Sequence, residues 1–121
     1  MATVLVVDDN EDVREVLAQI LESDGYDVVT AADGLEALQE VARQQVCVIV
    51  LDLSMPRLDG FGFLTRLRGG ADQPNAPVVV VSSVEEPNVP LANHVLRKPV
   101  DVEELMNLVE RYCSARMRGR A

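Results

Sequence analysis

Five short runs of β-branched and aliphatic residues punctuate the chain: TVLVV (3–7), DVVT (27–30), VCVIVL (46–51), PVVVVS (77–82) and HVLR (94–97). Segments of helical period separate most of them. Val13, Val16, Leu17, Ile20 and Leu21 form an i, i+3, i+4, i+7, i+8 stripe that stops at the turn around Asp24-Gly25. Leu35, Leu38, Val41 and Ala42 mark a second helix behind a capping box of Asp33 and Glu36. Leu64 and Leu67 mark a third, halted by Gly69-Gly70, and Val102, Leu105, Met106, Val109 and Tyr112 a last one, capped by Asp101 with Glu104. The strand runs are continuously apolar rather than alternating, which predicts an α/β fold whose sheet is covered on both faces, hence parallel and doubly wound.

One connection breaks the alternation. Residues 84–93, VEEPNVPLAN, must return the chain from the end of the fourth strand to the start of the fifth. A parallel crossover normally takes about 10–12 residues at the least. Pro87 and Pro90 also disfavour helical geometry at Glu86 and Val89. The fourth helix is therefore expected to be short or missing, with an extended connection or a single turn in its place. The sheet face near Leu91 and Val95 would then be thinly covered, favouring docking by a partner or a second copy, a homodimer.

Composition narrows the partners. A chain of 121 residues, 48% hydrophobic, has the size and apolar content of one globular domain. Its apolar runs are too short to span a bilayer and no basic segment precedes an apolar one at the start, so the reading is soluble and cytoplasmic, with no membrane partner. With 20 acids against 11 bases and a net charge of −9, the domain lacks the basic footprint of a nucleic-acid binder. Cys47 and Cys113 show neither CxxC spacing nor a nearby His, and are expected to be reduced packing residues. The tail SARMRGRA suits a solvated helix end, with a linker into a further segment as the rival reading.

Ligands of open α/β sheets gather at the carboxyl ends of the strands. There the sequence places Asp8 and Asp9 after the first strand, Asp52 at the end of the third, Ser82 at the end of the fourth, and Lys98, the sole lysine, after the fifth. Taken singly, Asp8, Asp9 or Asn10 can be a helix cap and Ser82 an ordinary strand-end hydroxyl. Asp52, however, follows an apolar run in which an uncompensated charge is costly. Three acids at one point repel one another unless a cation neutralises them, and an all-oxygen donor set suits a hard divalent ion. A carboxylate beside such an ion can attack a phosphoryl group, and the compact ammonium of Lys98 can reach Asp52 and an incoming phosphoryl oxygen.

The segments VLVVDDNEDVREVL, VIVLDLSMPRLDGFGFL, PVVVVSS and LRKP, in this order over nearly the whole chain, resemble the receiver domain of two-component response regulators. The resemblance implies a flavodoxin-like, five-stranded sheet of order 2-1-3-4-5, a receiver domain over 1–115 and a basic tail over 116–121. It implies that Asp52 is the phosphoacceptor for a phosphohistidine on a sensor histidine kinase or phosphotransfer protein. Mg²⁺ would be held by Asp8, Asp9, Asp52 and the carbonyl of Ser54; Ser82 would donate to the phosphoryl group and Lys98 would pair with it. The Lys98-Pro99 bond is expected to be cis, and Met55, Pro56 and Gly60 match the family's loop after the phosphoacceptor. Such a domain promotes its own phosphorylation and dephosphorylation without being a conventional turnover enzyme.

Two features depart from the family pattern: Val95, and the connection over 84–93, which in the family is longer and usually helical. Val95 stands where the family usually has Tyr or Phe, so aromatic switching is not expected, and His94 beside it reads as an ordinary strand residue. Val84, two beyond Ser82, can neither hold nor polarise water, which points to a long-lived phosphoryl state. A haloacid-type phosphatase would want a DxD-like pattern after the first strand, and a flavodoxin-like FMN carrier would want phosphate-binding donors there and aromatic stacking surfaces, against 3% aromatics and no Trp here. The remaining alternative is a pseudo-receiver, an interaction module that works without phosphorylation.

Overall fold

The computed structural model of the chain describes residues 2–53, 55, 57–70, 72–83 and 88–118, with side chains as far as Ser114. The elements follow as β1 (Thr3–Val7), α1 (Glu11–Ser23), β2 (Asp27–Ala31), α2 (Gly34–Arg43), β3 (Val48–Asp52), α3 (Gly60–Arg68), β4 (Val78–Ser82), β5 (His94–Arg97) and α4 (Val102–Arg118). All strand pairs are parallel, and the sheet order is β2-β1-β3-β4-β5. The doubly wound reading is borne out, including its order.

The two-residue alternation of a strand sends neighbours to opposite faces. Leu5, Val7, Ile49, Leu51, Val78 and Val80 pack with Ala37, Val41, Phe63, Leu64 and Leu67 of α2 and α3. Val4, Val6, Val48, Val50, Val79 and Val81 pack with Leu21 of α1 and Leu105, Leu108 and Val109 of α4. Every residue of β3 and β4 is buried, which is why these runs are apolar up to their last residues, Asp52 and Ser82. At about 1.5–3 kcal/mol for each fully buried aliphatic or aromatic side chain, these two layers are the main force holding the strand ends in place.

The helix starts follow the local chemistry. Asn10, rather than Asp8 or Asp9, caps α1, its Oδ1 accepting the Val13 N–H at 3.2 Å. Asp33 caps α2 by accepting the Glu36 N–H at 3.0 Å, while Glu36 reaches back to the Ala32 N–H at 3.4 Å. Asp101 accepts the Glu104 N–H at 3.2 Å at the start of α4. That helix runs to Arg118, past the point where the tail was placed.

Between β4 and β5 no helix occurs among the described residues; residues 88–93 turn at Pro90 and Leu91. Val89 is buried, and Ala92 and Val95 pack onto the α2/α3 layer, leaving Leu91 as the exposed apolar residue of the segment. His94 pairs with Val79 in the β4–β5 ladder.

The cysteines require a correction. Cys47 and Cys113 form a disulfide across a sequence separation of 66, with Cα atoms 4.9 Å apart. Cys47 immediately precedes β3, and the buried stripe of α4, Leu105, Val109 and Cys113, lies against that end of the sheet. The packing that was expected of each cysteine alone is what brings the two together.

No helix of the described residues is long and apolar enough to cross a membrane.

Candidate functional site

The parallel sheet delivers its strand ends to one rim. β1 ends at Val7, so Asp8 and Asp9 leave the sheet beside β3, whose last residue is Asp52. β4 ends at Ser82, which stands level with Arg97 of β5, so Lys98 projects just beyond Ser82. The Lys98 N–H donates to the Ser82 carbonyl at 2.8 Å, and the Lys98-Pro99 peptide is cis.

The carboxylate oxygens of Asp8, Asp9 and Asp52 lie within 4.8 Å of one another. Asp8 and Asp52 are buried, with Ser82, whereas Asp9 is exposed. Lys98 Nζ sits 3.6 Å from Asp52 Oδ1. The cleft beneath them, of about 40 Å³, is floored by Asp8, Asp52 and Lys98 and walled by apolar residues that include Val13, Leu17 and Val100. That volume is far below the roughly 300 Å³ or more that an organic cofactor such as FMN needs.

Burial raises the Asp8 pKa above the ordinary carboxylate value; the Asn10 N–H, at 2.9 Å from Oδ1, opposes the shift, and the Asp52 charge adds to it. Beyond the capping already read for Asn10, two contacts to Asp8 escaped the sequence reading. Asn10 both caps α1 and donates its N–H to Asp8, and Arg14 donates to the Asp8 carbonyl at 2.7 Å. The signal for Arg14 was its place near the head of α1, which follows directly on the segment that leaves β1.

The three acids and Lys98 come together, and Ser82 ends the neighbouring strand at the same rim. Ser54, Pro56 and Val84 lie outside the described residues. The donors that converge are oxygens with one ammonium beside them, a set that fits a hard divalent cation and a carboxylate able to attack an electrophile.

A family model for the response regulator receiver domain matches residues 4–110. Response regulator MprA of Mycobacterium tuberculosis is 43% identical over 109 residues, covering 85% of this chain and 46% of that protein. The structure of a Francisella response regulator 1452 receiver domain superposes with a TM-score of 0.86 at 30% identity, covering 95% of this chain and 98% of that one. The receiver domain of a sensor histidine kinase from Pseudomonas aeruginosa, solved with a magnesium ion coordinated in the active site cleft, superposes with a TM-score of 0.83 at 26% identity, covering 93% and 98%. The chain spans a little under half the length of the first curated relatives it matches, 44% and 46%.

Proposed function

The chain belongs to the response regulator receiver domain family, and from that premise we propose that it takes a phosphoryl group from a phosphohistidine of a sensor histidine kinase or phosphotransfer protein onto Asp52, with Mg²⁺, in the cytoplasm. The observation that carries this reading is the convergence of three carboxylates within 4.8 Å, with the only lysine 3.6 Å from one of them.

In the proposed step an Asp52 Oδ lone pair forms the new O–P bond while the P–N bond to the donor imidazole breaks in line. The bonding pair leaves on the imidazole nitrogen, which is then neutral or takes a proton from solvent. Asp8, Asp9, Asp52 and the Ser54 carbonyl would hold Mg²⁺, which when bound supplies positive charge against the phosphoryl oxygens. Lys98, whose Nζ is 3.6 Å from Asp52 Oδ1, would transfer its ammonium to a phosphoryl oxygen, and Ser82 would donate its hydroxyl to another. Because the Lys98 N–H is tied to the Ser82 carbonyl, a shift of either side chain is felt at the ends of β4 and β5 together. The working unit takes in residues 1–115, with 116–121 as a basic extension.

The reading is tested by incubation with acetyl phosphate, with and without Mg²⁺, followed by intact mass. One phosphoryl group is expected on the wild type in Mg²⁺, and none on Asp52→Asn or in EDTA. Labelling of neither protein would leave a phosphorylation-independent interaction module, and equal labelling of both would move the acceptor elsewhere.

A further inference from the structure

The stretch after Asp52 closes on itself. The Gly60 N–H donates to the Leu53 carbonyl at 3.0 Å, and a Cβ at Gly60 would come within 2.7 Å of Leu53 Cα and 2.8 Å of the Asp52 carbonyl oxygen. The far side of this loop is pinned to the start of α2 at two points. The Gly34 N–H donates to the Leu58 carbonyl at 2.8 Å. Arg57 donates from Nε to Asp33 Oδ2 at 2.6 Å, and from Nη2 to Asp33 and, at 3.3 Å, to Glu36.

Arg57 has a positive φ of 62°, a conformation that costs an L residue steric energy and that glycine adopts freely. If the turn alone mattered, a glycine would serve it better; what arginine adds is the guanidinium on Asp33. Asp33 is buried and does two things at once, capping α2 and accepting from Arg57. Burial alone would raise its pKa, but the Glu36 N–H and the Arg57 guanidinium together hold it below the ordinary carboxylate value. On the other side of the same turn, the Ala31 carbonyl accepts the Asp8 N–H at 3.1 Å. The β2–α2 junction therefore touches both acid-bearing segments, the one after β1 and the one after β3.

We propose that Arg57 is a positioning residue: its bond to Asp33 locks the loop after Asp52 against the junction that also holds Asp8, and so fixes the spacing of the carboxylates for Mg²⁺. The inference rests on the receiver reading above. It also explains why so exposed a side chain is held in an unfavourable backbone conformation.

The test is direct Mg²⁺ titration followed by amide NMR, on wild type, Arg57→Gly, Asp33→Asn and the double variant. Arg57→Gly keeps the left-handed turn and removes the clamp. Asp33→Asn keeps an N-cap acceptor for the Glu36 N–H and removes the charge. Each is expected to melt near the wild type yet bind Mg²⁺ about 5-fold to 10-fold more weakly, within the range of coupling between linked sites. The double variant should lose little more than either single one, and the Gly34 amide should exchange faster in all three. Mg²⁺ affinity within twofold of wild type in either folded variant overturns the proposal. A wild type that binds no Mg²⁺ at all overturns the Mg²⁺-dependent phosphoacceptor reading itself, so the two failures are told apart.

Discussion

Lys98 Nζ reaches over the end of β4 to lie 3.6 Å from Asp52 Oδ1, while its own N–H is held by the Ser82 carbonyl at 2.8 Å. One residue thus touches the third and fourth strands by two different groups, and only the side chain is open to mutation. Lys98→Ala should keep the fold and slow Mg²⁺-dependent phosphorylation by tenfold or more, a loss of about 1.4 kcal/mol or above at the transition state. Lys98→Arg should keep the charge but blunt the response of the Ser82 and Arg97 amides to beryllofluoride, because the planar fork cannot occupy the place of a compact ammonium. Wild-type rates and shifts in both variants would make the sole lysine incidental.

The acid cluster carries a pH signature. The Asp8 pKa is raised in the fold by burial, so the folded state binds a proton that the unfolded chain gives up near 3.8. The resulting penalty is absent below that value, grows as pH rises from it toward the raised pKa, and is constant above. Metal-free Asp8→Asn should therefore melt higher than metal-free wild type at neutral pH and no higher in strong acid. Saturating Mg²⁺ should reverse the order at neutral pH, because it stabilises only the intact site, by about 2.7 kcal/mol at a hundred times its Kd. Thermal melts with EDTA and with MgCl₂ at several pH values check both signs.

The sequence was most legible where one residue answers to one local demand. The continuous apolar runs of β3 and β4 require two covering layers, and Asp33 and Asp101 announce helix starts by spacing alone. The rim residues were placed by the rule that parallel strands share one carboxyl edge, which Asp8, Asp52 and Ser82 obey. What the sequence hid depends on tertiary approach. Asp33 reads as a cap, and nothing local shows that Arg57, 24 positions away, uses its second oxygen. Gln73, which serves the Val41 and Gln44 carbonyls and the Val46 N–H, looks like a loop residue until α2 is set beside it. The cysteines, separated by 66 positions, carry no spacing signal at all.

The disulfide stands at the opposite end of β3 from Asp52. Cys47 precedes Val48 and Asp52 closes the strand, a run of five residues that rises about 16 Å. Closing a loop of this length limits the unfolded chain by up to about 4 kcal/mol in the chain-entropy account. Reduction, the state favoured in the cytosol, should therefore lower the denaturation midpoint, and Cys113→Ser should do the same. Beryllofluoride binding should be equal in the oxidised and reduced forms, because the tether holds α4 at the far end of the sheet. A redox-dependent affinity would show that α4 is coupled to the rim after all.

Residues 88–93, the described part of the β4–β5 connection, form no helix and are held by a side chain. Arg68, in the last turn of α3, donates from Nε to the Leu91 carbonyl at 3.1 Å and from Nη2 to Asn93 Oδ1 at 2.9 Å. Its Nη1 serves the Pro74 and Ala76 carbonyls at 2.9 and 2.6 Å. Asn93 Oδ1 also accepts the Val78 N–H at 2.8 Å, and the Asn93 N–H returns to the Val78 carbonyl at 2.9 Å, so the start of β4 and the end of the crossover share one network. A guanidinium can serve these oxygens at once because its donors are spread in a fixed plane, whereas an ammonium cannot span them. Arg68→Ala should cost about 1–3 kcal/mol, the range for a lost charged hydrogen bond or a buried acceptor left unpaired. Arg68→Lys should recover only part of that loss. In both variants the Val78 and Asn93 amides should exchange faster, while the Val4 and Leu5 amides of β1 should change only with global stability. If Val78 and Asn93 instead track the β1 amides one for one, the crossover has no separate opening for Arg68 to restrain, and its anchoring role is lost.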